Sequence, residues 1–152
     1  MSGENLFSRW LKVLAGYYGI LQSLHLFFLI RAGFIYINSG SIPFPAPPPD
    51  AGWSSQVIPF LFAMGALDAA AAFLGIYSAI ILVRKNQFDS MPWILSLVLA
   101  LASAIIFVVG TVASGAWLKH PAAYGILVVF FSPLFPLFLL ILRKTGTETR
   151  SM

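Results

Sequence analysis

Two ionisable side chains, His25 and Asp68, each interrupt a long apolar run and are the residues here best suited to chemistry. A histidine beside a carboxylate can bind and release protons near neutral pH or hold a ligand through hydrogen bonds. In an apolar environment such groups are costly, so they usually pair, face the interior of a bundle, or mark a pathway. The two residues therefore predict either a ligand-binding or proton-handling site, or a polar clamp between two helices.

Three further side chains extend this candidate site. Tyr18 and Gln22 precede His25 at helical spacing, so on a helix they lie on or beside the same face. Arg31 follows His25 by about 9 Å at the helical rise. Its long side chain reaches the headgroups outside more easily than it reaches Asp68. Tyr18, Gln22 and Arg31 are therefore candidate ligand-binding or proton-handling residues together with the pair.

Other site chemistry has little support in the sequence. There is no cysteine, and no nucleotide-binding, nucleophile-elbow or zinc-protease motif occurs. The only other histidine, His120, lies in a predicted outer turn, so a haem with two axial histidines on facing helices is not indicated. The sequence indicates no catalytic residue and no metal-ligand set, and it leaves the cofactor unknown, with none implied.

The composition explains which solvent surrounds these residues. Of 152 residues, 59% are hydrophobic and 9% are charged, and the mean hydropathy is +0.89. Soluble domains carry about a quarter charged residues, so this chain is expected to lie in a lipid bilayer. The net charge is +4, but the basic residues sit singly or in pairs at the ends of apolar runs. That distribution argues against nucleic acid as a partner.

The apolar runs predict one all-α integral membrane domain over 1–152, a bundle of four transmembrane helices. The spans are expected at about 13–37, 57–83, 91–118 and 121–142, since about 20 helical residues cross the hydrocarbon core. A proline-rich outer loop at 38–55 joins the first two spans and favours an extended polyproline conformation. Such a loop is either a rigid lid or docking rib, or a stiff spacer.

The Lys and Arg residues predict the orientation. With four alternating spans, most of them fall on one side: Arg9, Lys12, Arg84, Lys85, Arg143, Lys144 and Arg150. The positive-inside rule then places both termini in the cytoplasm, in a plasma or inner membrane. A cleaved signal peptide is a poorer interpretation, because the first apolar run exceeds the usual length of about 7 to 15 residues and contains Gln22 and His25.

Depth and helical spacing predict that His25 and Asp68 lie where the first two helices pack together. Counted from the outer boundaries, His25 lies about 16 Å deep and Asp68 about 18 Å deep, so they are level if the first two helices are antiparallel. Asp68 also stands in a stripe of small residues, which allows close helix approach in lipid. The predicted helix-packing residues are Gly65, Ala72, Gly75, Ala79, Gly110 and Ser114.

The fourth span contains Pro133 and Pro136 near its centre, which predicts a kink. Broken helices coordinate ions in transporters, but the first half of the chain has no corresponding break. We therefore interpret it as a plain kink that shapes the helix for a neighbour.

The absence of catalytic motifs and the many aromatic residues favour a non-enzymatic role: a small subunit or scaffold packing against partner membrane proteins or a second copy. The alternative is a small carrier or binder of a lipid, quinone or other apolar ligand at His25 and Asp68. An enzyme acting on lipids is a third hypothesis, for which one histidine and one aspartate are few catalytic groups.

Overall fold

The computed structural model describes residues 3–41 and 58–149, and the side chains of 8–41 and 58–146. Every regular element in these ranges is a helix: α1 (Gly3–Ser39), α2 (Ile58–Lys85), α3 (Ser90–Ala113), α4 (Ala116–Lys119), α5 (Pro121–Phe131) and α6 (Leu134–Thr149). Four segments are long and apolar enough to cross a membrane: Ser8–Ser39, Ile58–Lys85, Ser90–Ala113 and Pro121–Gly146. For the described residues this confirms the all-α prediction with four candidate spans. The sidedness of the termini stays a prediction, and the proline-rich loop from residue 42 onward lies outside the described residues.

The centre of the bundle is α2, which lies between α1 and α3 and packs closely on both. α6 contacts both α1 and α3 and so closes the bundle on the side opposite α2. Near this closure lies the main core cluster, which includes Leu11 of α1, Leu82 of α2 and Ile141 of α6. α2 is the most buried of the four candidate spans and α1 is the least.

The third helix ends earlier than the sequence predicted. The span was expected to reach 118, but α3 ends at Ala113, and Gly115 follows with a φ of +74°. That left-handed conformation favours glycine and interrupts the helix. The indole N–H of Trp117 donates to the Thr111 hydroxyl at 2.8 Å across this turn. The short α4 is thereby held against the end of α3.

The predicted kink lies between α5 and α6, where Ser132 and Pro133 separate the two helices. Pro133 has no N–H for the carbonyl of Val129, and that carbonyl instead accepts the Ser132 hydroxyl at 2.8 Å. The next carbonyl, that of Phe130, accepts the Tyr17 hydroxyl of α1 at 2.6 Å. Because both carbonyls are bonded within the protein, the geometry favours a kink stabilised by packing over an ion-binding break.

Candidate functional site

His25 and Asp68 come together where α1 crosses the middle of α2. The Nε2 atom of His25 lies 3.4 Å from Oδ2 of Asp68. This exceeds the usual N–H···O range of about 2.7 to 3.2 Å, so the contact is a close polar pair rather than a short hydrogen bond. The side chain of Asp68 is 9% exposed and that of His25 is 22% exposed. The histidine is therefore the member of the pair that can be reached from outside the bundle.

The antiparallel register of α1 and α2 produces this meeting. On one side of the pair, Gly19 faces Ala79 so closely that a Cβ at residue 19 would lie 2.8 Å from that of Ala79. On the other side, the rings of Tyr36 and Phe62 meet edge to face with centroids 5.0 Å apart. These two contacts set the register of α1 against α2, and His25 lies between the two contacts along α1. The sequence count that placed His25 and Asp68 at equal depth agrees with this register.

Beside the pair, a chain of hydrogen bonds joins α1, α3 and α2. The Ser96 hydroxyl donates to the carbonyl of Ala71 at 2.7 Å. Since a serine hydroxyl has one proton, the Tyr18 hydroxyl must donate to Ser96 Oγ, which lies 2.7 Å away. Tyr18 also packs on Trp93, with ring centroids 6.0 Å apart. Three helices are thus tied together by side chains that are almost fully buried.

Gln22 is the most unusual member of the site. Its side chain is 1% exposed, and its Oε1 atom has no hydrogen-bond partner among the described residues. It lies one helical turn from both Tyr18 and His25, on the face of α1 that meets α2. A buried carbonyl oxygen without a donor costs free energy. Gln22 therefore presents an unused acceptor in the buried part of α1 between Tyr18 and His25.

The remaining sides of the pair are formed by α3 and α5. The buried hydroxyl of Ser103 on α3 donates to the Met64 carbonyl of α2 at 3.4 Å, one helical turn before Asp68. On α5, Phe131 presents its ring edge to His25, with centroids 6.1 Å apart. Phe131 directly follows Phe130, whose carbonyl accepts the Tyr17 hydroxyl at the kink. The histidine is consequently bordered by an aromatic ring rather than by a second charged group.

Arg31 takes no part in the polar pair. Its side chain is exposed, and the ion-pair partner of Asp68 in the described part of the chain is His25. The structure thus places Tyr18, Gln22, His25 and Asp68 together and leaves Arg31 outside. The outward extension of the arginine toward the headgroups stays a prediction. Within the same ranges, no group of three metal-ligating side chains occurs.

The predicted packing residues divide into two groups. Ala72, Gly75 and Ala79 are buried, and an added Cβ at Gly65 would meet Leu29 at 3.7 Å. Gly110 is different, because a Cβ added there would meet nothing within 4 Å. It borders a small apolar crevice between α2 and α3, where the helices are not in close contact.

Ser114, also predicted as a packing residue, lies in the turn after α3, and its hydroxyl donates to the Thr111 carbonyl. The close-packing role of Gly110 and Ser114 stays a prediction, since a Cβ added at Gly110 meets nothing within 4 Å and the Ser114 hydroxyl bonds within its own turn. The helix ends at Ala113, so Ser114 lies in the turn beyond it, whereas Gly110 lies within the helix.

The buried polar residues Ser96, Ser78 and Thr111 were not predicted from the sequence. Ser96 precedes Ser103 by two helical turns on one face of α3, and that spacing could have revealed it. Ser78 is buried on α2, and its hydroxyl lacks a hydrogen-bond partner among the described residues. The sequence carries no comparable signal for it.

No protein-family model, curated protein or solved structure matches this chain. Its function must therefore be inferred from the geometry.

Proposed function

We propose that this chain is a small polytopic membrane protein that acts by association rather than catalysis, as a subunit or scaffold beside other membrane proteins. The observation that supports this is the uneven coverage of the helices. α1 is the least buried of the four spans and exposes Phe27, Phe28 and Phe34 on the faces that α2 and α6 leave uncovered. Rigid aromatic side chains provide large contact areas at protein interfaces. The partner would pack along this aromatic face of α1.

Site-specific photocrosslinking in native membranes tests the subunit proposal. A benzophenone amino acid at Phe27 or Phe34 is expected to give one discrete protein adduct, either with a second copy or with a different chain. The matched control is the same probe at Val109, which is equally exposed but lies on α3. Lipid adducts alone at all three positions would contradict an interface on α1.

A second candidate function is the binding of an apolar ligand at the pair, and the free acceptor of Gln22 favours it. An O–H group on the ligand would satisfy Gln22 Oε1, which nothing in the described residues does. The partly exposed His25, bordered by Phe131, offers a route from the lipid side. The ligand class supported is therefore a hydroxyl-bearing lipid or quinol rather than an ion.

A matched pair of probes tests this binding. A photoreactive long-chain alcohol is expected to label the purified protein more strongly than its methyl ether, which lacks the donor. Gln22→Leu should abolish the difference between the two probes, and Asp68→Asn should weaken labelling while the protein remains folded. If Asp68→Asn and His25→Gln change thermal stability but not labelling, the pair is a structural clamp.

A further inference from the structure

One end of the bundle carries a set of six basic side chains that the candidate site does not use. We call this set the basic collar: Arg9, Lys12, Arg84, Lys85, Arg143 and Lys144. They belong to three helices that are adjacent in the fold, because α1 packs on both α2 and α6. The collar is therefore a feature of the assembled bundle rather than of one segment.

Contacts between the helices place the collar residues of α1 and α2 at one level. Gly19 lies opposite Ala79 and Tyr36 opposite Phe62 in the antiparallel register. Continuing this register toward the start of α1 puts Lys12 opposite the residues just after Lys85, where α2 ends. The basic ends of these two helices thus coincide.

The end of α6 reaches the same level. The Lys144 ammonium lies 5.1 Å from the ring centroid of Phe88, which belongs to the connection between α2 and α3. Arg143 is its neighbour in sequence and is exposed. Since Phe88 follows Lys85 closely, all three helices present their basic residues in one layer.

Negative charge at this level is scarce. Among the described side chains the acid at this end is Asp89, and its carboxylate accepts the Met91 N–H as the N-cap of α3. Even with Glu4 and Glu148 of the same two helices counted, the sequence has six basic residues against three acidic ones here. The layer therefore has an excess of positive charge next to exposed apolar side chains such as Trp10 and Val83.

We propose that the basic collar binds the phosphate groups of anionic phospholipids in the surrounding bilayer. Basic side chains at the end of apolar helices lie where lipid phosphates lie, and the exposed apolar residues beside them can contact the acyl chains. Trp10, with an exposed indole, suits the headgroup level. Because the collar is spread over three helices rather than enclosed in a cavity, it fits many lipid headgroups around the bundle better than one free phosphate ion. This proposal does not depend on the ligand or partner proposed above.

Native mass spectrometry of the full chain in non-ionic detergent tests it with phosphatidylglycerol and phosphatidylcholine as probes. Phosphatidylglycerol is expected to bind more tightly, and Arg84→Gln or Lys85→Gln should each lower its affinity about fivefold, the effect expected of one basic side chain at an anionic surface. Arg9→Gln provides the same test on α1. The matched control is Lys119→Gln, which removes one charge at the opposite end of the bundle.

The outcomes separate local binding from a general effect of charge. Loss of affinity in the collar variants, with none in Lys119→Gln, supports the proposal. Equal binding of the two lipids, or an equal loss in Lys119→Gln, overturns it. Competition by inorganic phosphate at millimolar concentration would assign the collar to a free anion and would also contradict the lipid proposal. Thermal unfolding of each variant verifies that it is folded.

Discussion

Tyr18 of α1 and Gly75 of α2 approach so closely that a Cβ at residue 75 would lie 2.6 Å from Cε1 of the tyrosine. The same added atom would lie 2.8 Å from the Ser96 hydroxyl oxygen. A single missing methyl group therefore lets α1 and α3 both contact α2 at the level where the hydrogen-bond chain begins. The close packing of the three helices and the hydrogen bonds of Tyr18 and Ser96 therefore depend on each other.

The first prediction concerns this contact. Gly75→Ala should lower the free energy of unfolding by about 1 to 3 kcal/mol, because the methyl group overlaps a buried ring and a bonded hydroxyl. Unfolding with a denaturing detergent, followed by tryptophan fluorescence, measures the change. The control is Gly110→Ala, where an added Cβ meets nothing within 4 Å. That change should be neutral or stabilise by up to about 1 kcal/mol through helix propensity. Equal destabilisation by both would show that Gly75 has no special packing role.

The second prediction concerns the hydrogen bonds around Ser96. Ser96→Ala removes the acceptor of the Tyr18 hydroxyl and the donor to the Ala71 carbonyl, so both buried groups lose a partner. We expect a loss of about 1 to 3 kcal/mol in unfolding free energy. Ser23→Ala is the control, since the exposed Ser23 hydroxyl bonds only the Gly19 carbonyl of its own helix.

Tyr18→Phe provides a further check on the Ser96 chain. Added to Ser96→Ala, it should cost less than it does alone, because the tyrosine hydroxyl has already lost its acceptor. Additive costs would mean that the two hydroxyls do not act together.

The third prediction concerns the kink. Tyr17→Phe removes the donor to the Phe130 carbonyl and should loosen the attachment of α5 to α1. Hydrogen exchange over 121–131 is expected to accelerate, while exchange in α2 stays unchanged. Tyr77→Phe serves as the control, because this tyrosine is exposed on α2 away from the kink. Unaltered exchange in α5 would indicate that packing alone stabilises the kink between α5 and α6.

The fourth prediction concerns an asymmetry within the His25 and Asp68 pair. His25→Leu leaves the more buried Asp68 without its ion-pair partner, whereas Asp68→Leu leaves a histidine that is partly exposed and can be neutral. Removing the histidine should therefore destabilise the protein more, and a double-mutant cycle should give a coupling of about 0.6 to 2 kcal/mol. Thermal unfolding in detergent at neutral pH measures all three variants. Identical losses for the two single variants would contradict the asymmetry.

The level of His25 and Asp68 could be predicted because depth depends only on helical rise and on where each apolar run begins. The kink could be predicted because prolines interrupt the helical hydrogen bonds. The end of α3 could not be predicted in this way. Gly115 stands in an apolar run, and the composition of that run does not reveal its left-handed conformation.

Helix rotation was the harder quantity to predict. Ser23 and Ser39 bond carbonyls of their own helix, whereas Ser96 bonds α1 and α2. The three serines look alike in sequence, and their roles differ only through the faces that neighbouring helices cover. Gly110 shows the same effect, since its spacing matches a packing stripe but a Cβ added there would meet nothing within 4 Å.

The position of α6 has a consequence for how the chain is assembled during synthesis. α1 and α2 pair directly, and α2 then pairs with α3, so each of these helices finds its main neighbour as soon as it is made. Of the described helices, α6 comes last in the sequence, and it packs on both α1 and α3. Until it arrives, Leu11 and Leu82 lack their contact with Leu137 and Ile141. Before α6 packs, the assembled α1, α2 and α3 therefore leave exposed the groove that α6 fills.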